Sequence, residues 1–227
     1  KGFNVTGLEV DSKKVESIKN KKSYIGDIET KDIKELVESK KLSATTNFKA
    51  ISKLDVVIIC VPTPLRKSKD PDVSYIVSAT KEIKDNLQKG QLIILESTTY
   101  PGTTAELVLP MLESTGLKAS KDFFLAFSPE RIDPANKKFT IANTTKVVGG
   151  ICKQSTELTA AVYGSFTKVH KVSSTQAAEM VKLLENTFRA VNIGLVNEVA
   201  LMCDRLGLSV WEIINASATK PFGFMKF

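Results

Sequence analysis

Two uninterrupted apolar runs set the architecture of this chain. "DVVIICVPTP" (55–64) and "QLIILES" (91–97) carry no polar alternation through their centres. A strand with one face in water alternates. A strand apolar on both faces belongs to a sheet covered on both sides, as parallel strands are. Between the two runs, "VSYIVSATKEIKDNLQKG" has helical spacing and closes at Gly90. "TTAELVLPMLEST" follows as a helix in which Pro110 predicts a kink or an early end. "DFFLAFSPE" and "TKVVGG" read as two more strands, "QSTELTAAVYG" as a helix and "TKVHKVS" as a last strand. Strand and helix in repeated alternation predict an α/β fold with a doubly wound parallel sheet.

The start of the chain belongs to the same pattern. "KGFNVTGLEVD" reads as a helix end, a glycine cap and a strand from Phe3 to Val10, closing at Glu9 and Asp11. In a dinucleotide-binding unit an acidic residue at the end of the second strand holds the ribose hydroxyls, ~20 residues after a glycine-rich turn. No such turn fits before Glu9. The expectation is that the first strand and its phosphate loop lie upstream of Lys1.

From about Ser174 the pattern becomes helical. A Ser-Ser-Thr cluster offers an N-cap, and helical residues run to about Leu206 before Gly207. "SVWEIINASAT" makes a short helix after it. Two domains are expected, a sheet domain over 1–172 and an all-helical region over 173–227. At 100° per residue, Asn186 falls about 40° from Lys182 and Arg189 about −20° from it. Glu179 and Asn197 share that polar stripe, while Met180, Leu184, Phe188, Val191 and Leu195 spread over the rest. Such a helix is buried on most sides, and its stripe faces water, a partner or a site. A cation beside amides suits an oxyanion.

Composition excludes several classes. The net charge is +7, yet the lysines are scattered or lie in short runs such as "KNKK". No basic stripe with interleaved aromatics argues for nucleic acid. No apolar run is long enough for a bilayer. Cys60, Cys152 and Cys203 are far apart and suggest neither a disulfide framework nor a metal site. His170 lies in an alternating stretch and reads as a strand surface residue.

Three loops remain as carriers of chemistry. "CVPTP" and "ESTTYPGTT" end strands, where open α/β sheets bind ligands, and "FSPERIDP" follows another. Each also reads as a plain connection: a rigid turn, a capped strand-to-helix link, and a surface turn stabilised by Arg131 and Asp133. Taken in order with "LEVD", "KVVGG", "AEMVKLLENTFRAVN", "CDRLG" and "TKPFGF", these stretches resemble the UDP-sugar 6-dehydrogenases. The likeness is strongest to the branch that oxidises UDP-N-acetylhexosamines, with UDP-N-acetylglucosamine the expected substrate.

That resemblance implies a Rossmann-type sheet, incomplete at its N-terminus, followed by a central helical region that forms a homodimer through the long helix. It implies oxidation of a C6 alcohol to a carboxylate with two NAD molecules in a cytoplasmic enzyme that feeds surface polysaccharide synthesis. By motif, Glu9 holds the ribose, and Val61, Pro62, Thr63, Ser97 and Thr98 line the cofactor. Thr98 also positions a polar atom near the nicotinamide, and Glu130 assists acid/base work. Lys182 and Asn186 hold the C6 oxygen, and Arg131, Arg189 and Lys220 are candidates for substrate contact. The family's nucleophile motif "GGHCIP" is expected after Phe227, so the chain alone is expected not to complete the reaction. Two other readings remain: a β-hydroxyacid dehydrogenase, which also pairs Lys with Asn on a long helix, and a non-catalytic association fragment.

Overall fold

The computed structural model describes residues 2–67, 70–132 and 138–226, in two compact units, Lys1–Met180 and Val181–Phe227. Asp133 and Pro134 of the "FSPERIDP" loop lie outside the described residues.

The first unit contains β1 (Val5–Leu8), α1 (Ser12–Lys19), α2 (Thr30–Glu38) and β2 (Leu42–Thr45). A 3-10 turn precedes β3 (Val56–Ile59), then α3 (Ser74–Asn86), β4 (Leu92–Leu95) and α4 (Leu109–Glu113) follow. β5 (Phe124–Phe127), β6 (Lys146–Gly150), α5 (Lys153–Gly164) and β7 (Val169–Lys171) complete the strands. β1 and β2 pair in parallel as a two-stranded sheet, and the others form a five-stranded sheet in the order β3-β4-β5-β6-β7. The first strand is shorter than its apolar pattern predicts, because only Val5 to Leu8 find partners on Leu42 to Thr45. The expected helix does not end at Pro110: a wide π-helical stretch, Thr103–Val108, passes into α4, which carries Pro110 in its first turn and runs on to Glu113.

The sheet is parallel except in one place: β6 runs antiparallel to β5, with Ala126 opposite Gly150 and Phe127 opposite Gly149. The described residues between them form no helix, and an antiparallel return needs no helical crossover. The reversal brings the beginning of β6 to the edge where β3, β4 and β5 end.

The core lies on both faces of the central strands. Ile93, Leu95, Leu125 and Phe127 are fully buried. On the opposite face, Leu92, Ile94 and Val148 pack with Tyr163 of α5, joined by Val56 and Phe124. The two glycines that end β6 are required by close approach. A Cβ on Gly149 would lie 2.1 Å from the Ser174 carbonyl oxygen, and one on Gly150 2.5 Å from the Thr156 amide nitrogen. Both obstacles are backbone. Gly149→Ala is therefore expected to cost about 3 kcal/mol, read as a lower urea midpoint at unchanged m-value.

α6 (Thr175–Leu206) begins in the first unit and continues into the second, where α7 (Val210–Ser217) follows. Gly207 at φ +69° ends it as expected, with the Leu208 amide donating to the Cys203 carbonyl at 2.9 Å. Cys203 is buried, consistent with a small packing residue, and His170 is exposed on β7. Leu184, Val191, Leu195 and Leu201 are exposed along α6. No described helix is long and apolar enough to cross a membrane.

Candidate active site

Alternation along the strands decides which side chains meet at the sheet edge. Leu92 and Ile94 face α5, so Glu96, next in that row, points the same way. Val56 and Phe124 belong to the same face, which places Cys60 and Glu130 there as their strands run out. Val148 does too, so Lys146, two residues before it on the reversed strand, arrives at the same spot. Continued past the strand, the β5–β6 register sets Glu130 opposite Lys146.

The contacts agree. Lys146 Nζ donates to Glu96 Oε1 at 2.5 Å and to Glu130 Oε2 at 2.9 Å. Tyr163 Oη donates to Glu96 Oε2. Glu130 Oε1 accepts the amides of Arg131 at 2.8 Å and Ile132 at 2.6 Å. Glu130 was singled out from sequence; Glu96, Lys146 and Tyr163 were not.

Two carboxylates share one cation, and the proton falls unevenly. Burial raises Glu130, but hydrogen bonds from Glu96, Lys146 and the Ile132 amide outweigh it and hold it down at about 2. Burial pushes Glu96 up, and its bond to Glu130 adds to that. Burial opposes the charge on Lys146, yet the two carboxylates raise it. Glu130 is thus a carboxylate at neutral pH, and Glu96 takes a proton first. Cys60 is exposed as a residue, but desolvation of its thiol, followed by the charge of Glu96, pushes it up to about 11. It stays a thiol at neutral pH and is no ready nucleophile.

The neighbouring loops are tied to each other. Ser97, buried, donates its hydroxyl to the Val61 carbonyl at 2.7 Å. Thr63 donates to the Thr98 carbonyl, leaving the Thr98 side chain exposed. Val61, Thr63, Ser97 and Thr98 are therefore brought together at the ends of β3 and β4, with Pro62 between the tied residues. The next residues are held from α6: Glu179, fully buried, accepts the Gly102 amide at 2.6 Å, the Thr104 amide at 2.8 Å and the Thr104 hydroxyl at 2.6 Å. Glu179 thus leaves the open stripe and anchors the Thr-rich turn.

Glu9 closes β1. Burial raises it, but the Asp11 amide at 3.1 Å and Lys14 Nζ at 3.2 Å hold it below the usual carboxylate range. One donor on each oxygen leaves lone pairs for two ribose hydroxyls. The residues present therefore fit the ribose end of a dinucleotide. The pyrophosphate's glycine-rich turn is not among the 227 residues.

In the second unit, Lys182 and Asn186 are half-buried one turn apart, and Arg189 is exposed. Arg131 instead reaches back in the first unit, its Nη1 donating to the Thr145 carbonyl at 2.6 Å. Lys220 Nζ stands 4.8 Å from the Phe222 ring centre. Among the described residues no cluster of His, Cys, Asp and Glu could hold a metal ion.

Fold and edge together define a Rossmann-type, nucleotide-binding unit. Residues 1–167 match the NAD binding domain of the UDP-glucose/GDP-mannose dehydrogenase family, and residues 176–227 match its central domain. The chain belongs to that family, and the cofactor of its first domain is NAD. It is 40% identical over 199 residues to UDP-N-acetyl-D-glucosamine 6-dehydrogenase of Pseudomonas aeruginosa, covering 86% of this chain and 47% of that protein. The enzyme of the same name from Salmonella typhi is 34% identical, covering 100% of this chain and 53% of that protein. A solved structure of UDP-D-ManNAc dehydrogenase from Pyrococcus horikoshii superposes with a TM-score of 0.91 at 36% identity, covering 98% of this chain and 53% of that one. The chain spans about half the length of the curated relatives it matches.

Proposed function

We propose that the protein carrying this chain oxidises the C6 hydroxyl of a UDP-N-acetylhexosamine to a carboxylate. The observation that carries this reading is the Glu130 carboxylate, clamped at the sheet edge beside the tied loops that end β3 and β4. NAD, when bound, accepts a hydride from C6. The carbon gives up two hydrides in succession, and water supplies the second oxygen of the acid.

Each residue has a definite task in this scheme. Glu9 holds the ribose, and the loop Val61-Pro62-Thr63 with Ser97 forms the wall against the cofactor. Thr98 keeps an exposed hydroxyl beside that wall to orient a water. Glu130, anionic at neutral pH, draws a proton from the water that attacks C6 in the second half of the reaction. Lys182 and Asn186 donate to the C6 oxygen as negative charge grows on it, and fixed donors of that kind lower the barrier. Arg131, Arg189 and Lys220 are assigned to the nucleotide-sugar. UDP-N-acetylglucosamine is the expected substrate, from the names of the relatives in Pseudomonas aeruginosa and Salmonella typhi. The exposed apolar residues of α6 form the contact of a homodimer, and the enzyme works in the cytoplasm on a precursor of a surface polysaccharide.

The test is turnover by the full-length protein on UDP-N-acetylglucosamine, UDP-N-acetylmannosamine and UDP-N-acetylgalactosamine. The expected result is two NADH per sugar consumed, fastest with the first, from a species that light scattering sizes as a dimer. No NADH from any of the three, or one NADH with release of an aldehyde, sinks the reading.

A further inference from the structure

The family match and the sequence motifs leave the interior of the carboxylate cluster without a role. Lys146 is the least exposed of its three charged groups: its side chain is 7% exposed, against 12% for Glu96 and 41% for the Glu130 it contacts. The cation therefore comes from within the fold and the carboxylate reaches outward from it. Nor can the lysine turn away. Its Nζ is bonded to Glu96 at 2.5 Å and stands 5.4 Å from the centre of the Tyr163 ring. Tyr163 in turn bonds the other oxygen of Glu96 and is braced by Phe166, edge to face, at 5.8 Å.

Building on the function proposed above, we propose that Lys146 is a positioning residue: anchored by Glu96 and Tyr163, its ammonium fixes the Glu130 carboxylate at the sheet edge in one orientation and one charge state. The division of labour on Glu130 supports this. Oε1 is taken by two backbone amides, which set the carboxyl plane, and Oε2 accepts from the Lys146 ammonium. A base works only when held within hydrogen-bond reach of the proton it takes, and misplacement by about 1 Å costs on the order of a hundredfold. The burial of a cation against two carboxylates adds little stability on its own, since desolvation offsets the attraction. Such an arrangement fits a role in holding a neighbour.

The groups that face Glu130 are Lys146 from β6, Glu96 beyond β4, Cys60 beyond β3 and Tyr163 from α5. A test must remove Lys146 without stranding a buried charge. The double variant Lys146→Met with Glu96→Gln does so, because the carbonyl of the introduced amide still accepts from Tyr163. Lys146→Arg keeps the cation.

The 227-residue chain is labelled with 13C at the glutamate carboxyls, and Glu130 is assigned by loss of its signal in Glu130→Gln. In the unmodified chain the Glu130 signal is expected to stay still from pH 7 down to about 4. In the double variant it is expected to titrate with a midpoint at or above about 4, and in Lys146→Arg to stay still. In the full-length enzyme the double variant is expected to lose at least about tenfold in kcat, with the acid limb of the kcat/KM profile moved upward, while Lys146→Arg retains both. The Glu96→Gln single variant separates the two neighbours: a Glu130 that titrates alike in it and in the double variant overturns the proposal. So does a shifted Glu130 with kcat and acid limb unchanged. If the full-length protein oxidises no UDP-sugar, the function reading fails, and the carboxyl titration still decides whether Lys146 controls Glu130.

Discussion

Glu179→Ala is expected to lower the unfolding free energy by about 4 kcal/mol, the largest loss from any single side chain on α6. Its carboxylate is fully buried and accepts the Gly102 amide, the Thr104 amide and the Thr104 hydroxyl. Truncation leaves three buried donors with no acceptor, each worth about 1–3 kcal/mol, less what local relaxation recovers. The amides belong to the first turn of the π-helical stretch, where backbone N–H groups have no partner within the helix and favour a negative charge. Gly102 adds a constraint of its own: it sits at φ +103°, a conformation that a residue with a Cβ adopts only under strain. Glu179→Gln keeps the acceptor for Thr104 but sets an amide group against the Gly102 N–H, and should lose about half as much. Urea unfolding of the three proteins reads this order. A Glu179→Ala protein within about 1 kcal/mol of the original would mean that water satisfies the turn.

Sequence periodicity located most of the elements because their apolar runs are long. The loops that open at Val61 and Ser97 and the helix end at Gly207 follow from local chemistry, whereas Pro110 does not stop its helix, because the π-helical stretch before it leaves it in the first turn of α4. α1, α2 and β2 escaped because "SKKVESIK", "TKDIKELVE" and "LSAT" bury little: only Val15 and Ile33 are buried in the two helices. The candidate site was half legible. Glu130 stood out only through the likeness of "FSPERIDP" to the UDP-sugar 6-dehydrogenases, whereas Glu96 was seen only as the last residue of an apolar run. Lys146 did not stand out at all, since a lysine opening a strand ordinarily points to water. Its role depends on β6 running backwards against β5, and strand direction leaves no mark in the apolar pattern. Period-two alternation could have put Glu96 and Lys146 on one face, but only once the two strands were known to share an edge. Glu179 was misplaced for a related reason. Helical geometry gives its direction on α6 but cannot tell that a loop from 77 residues upstream packs there.

Lys182→Ala in the full-length enzyme is expected to lower kcat by about 10²–10³-fold, with the KM for NAD unchanged within about twofold. The expectation rests on charge development: as hydride leaves C6, the oxygen retains electron density, and a fixed ammonium is worth more there than in the ground state. kcat and kcat/KM should therefore fall together. Asn186→Ala, which removes a neutral donor from the same stripe, should cost less, about tenfold to a hundredfold. Neither change should disturb the fold. Both side chains are only half-buried, and among the described residues neither makes a hydrogen bond, so unfolding free energies should stay within about 0.5 kcal/mol. That contrast separates the pair from Glu179, three residues before Lys182 on the same helix, where the fold is lost before the chemistry can be read. Lys182→Arg tests whether charge alone suffices: a planar fork cannot replace a point donor at an oxygen already shared with an amide, so most of the loss should persist. Equal kcat with and without Lys182 would remove it from the reaction and leave the stripe as a solvated face.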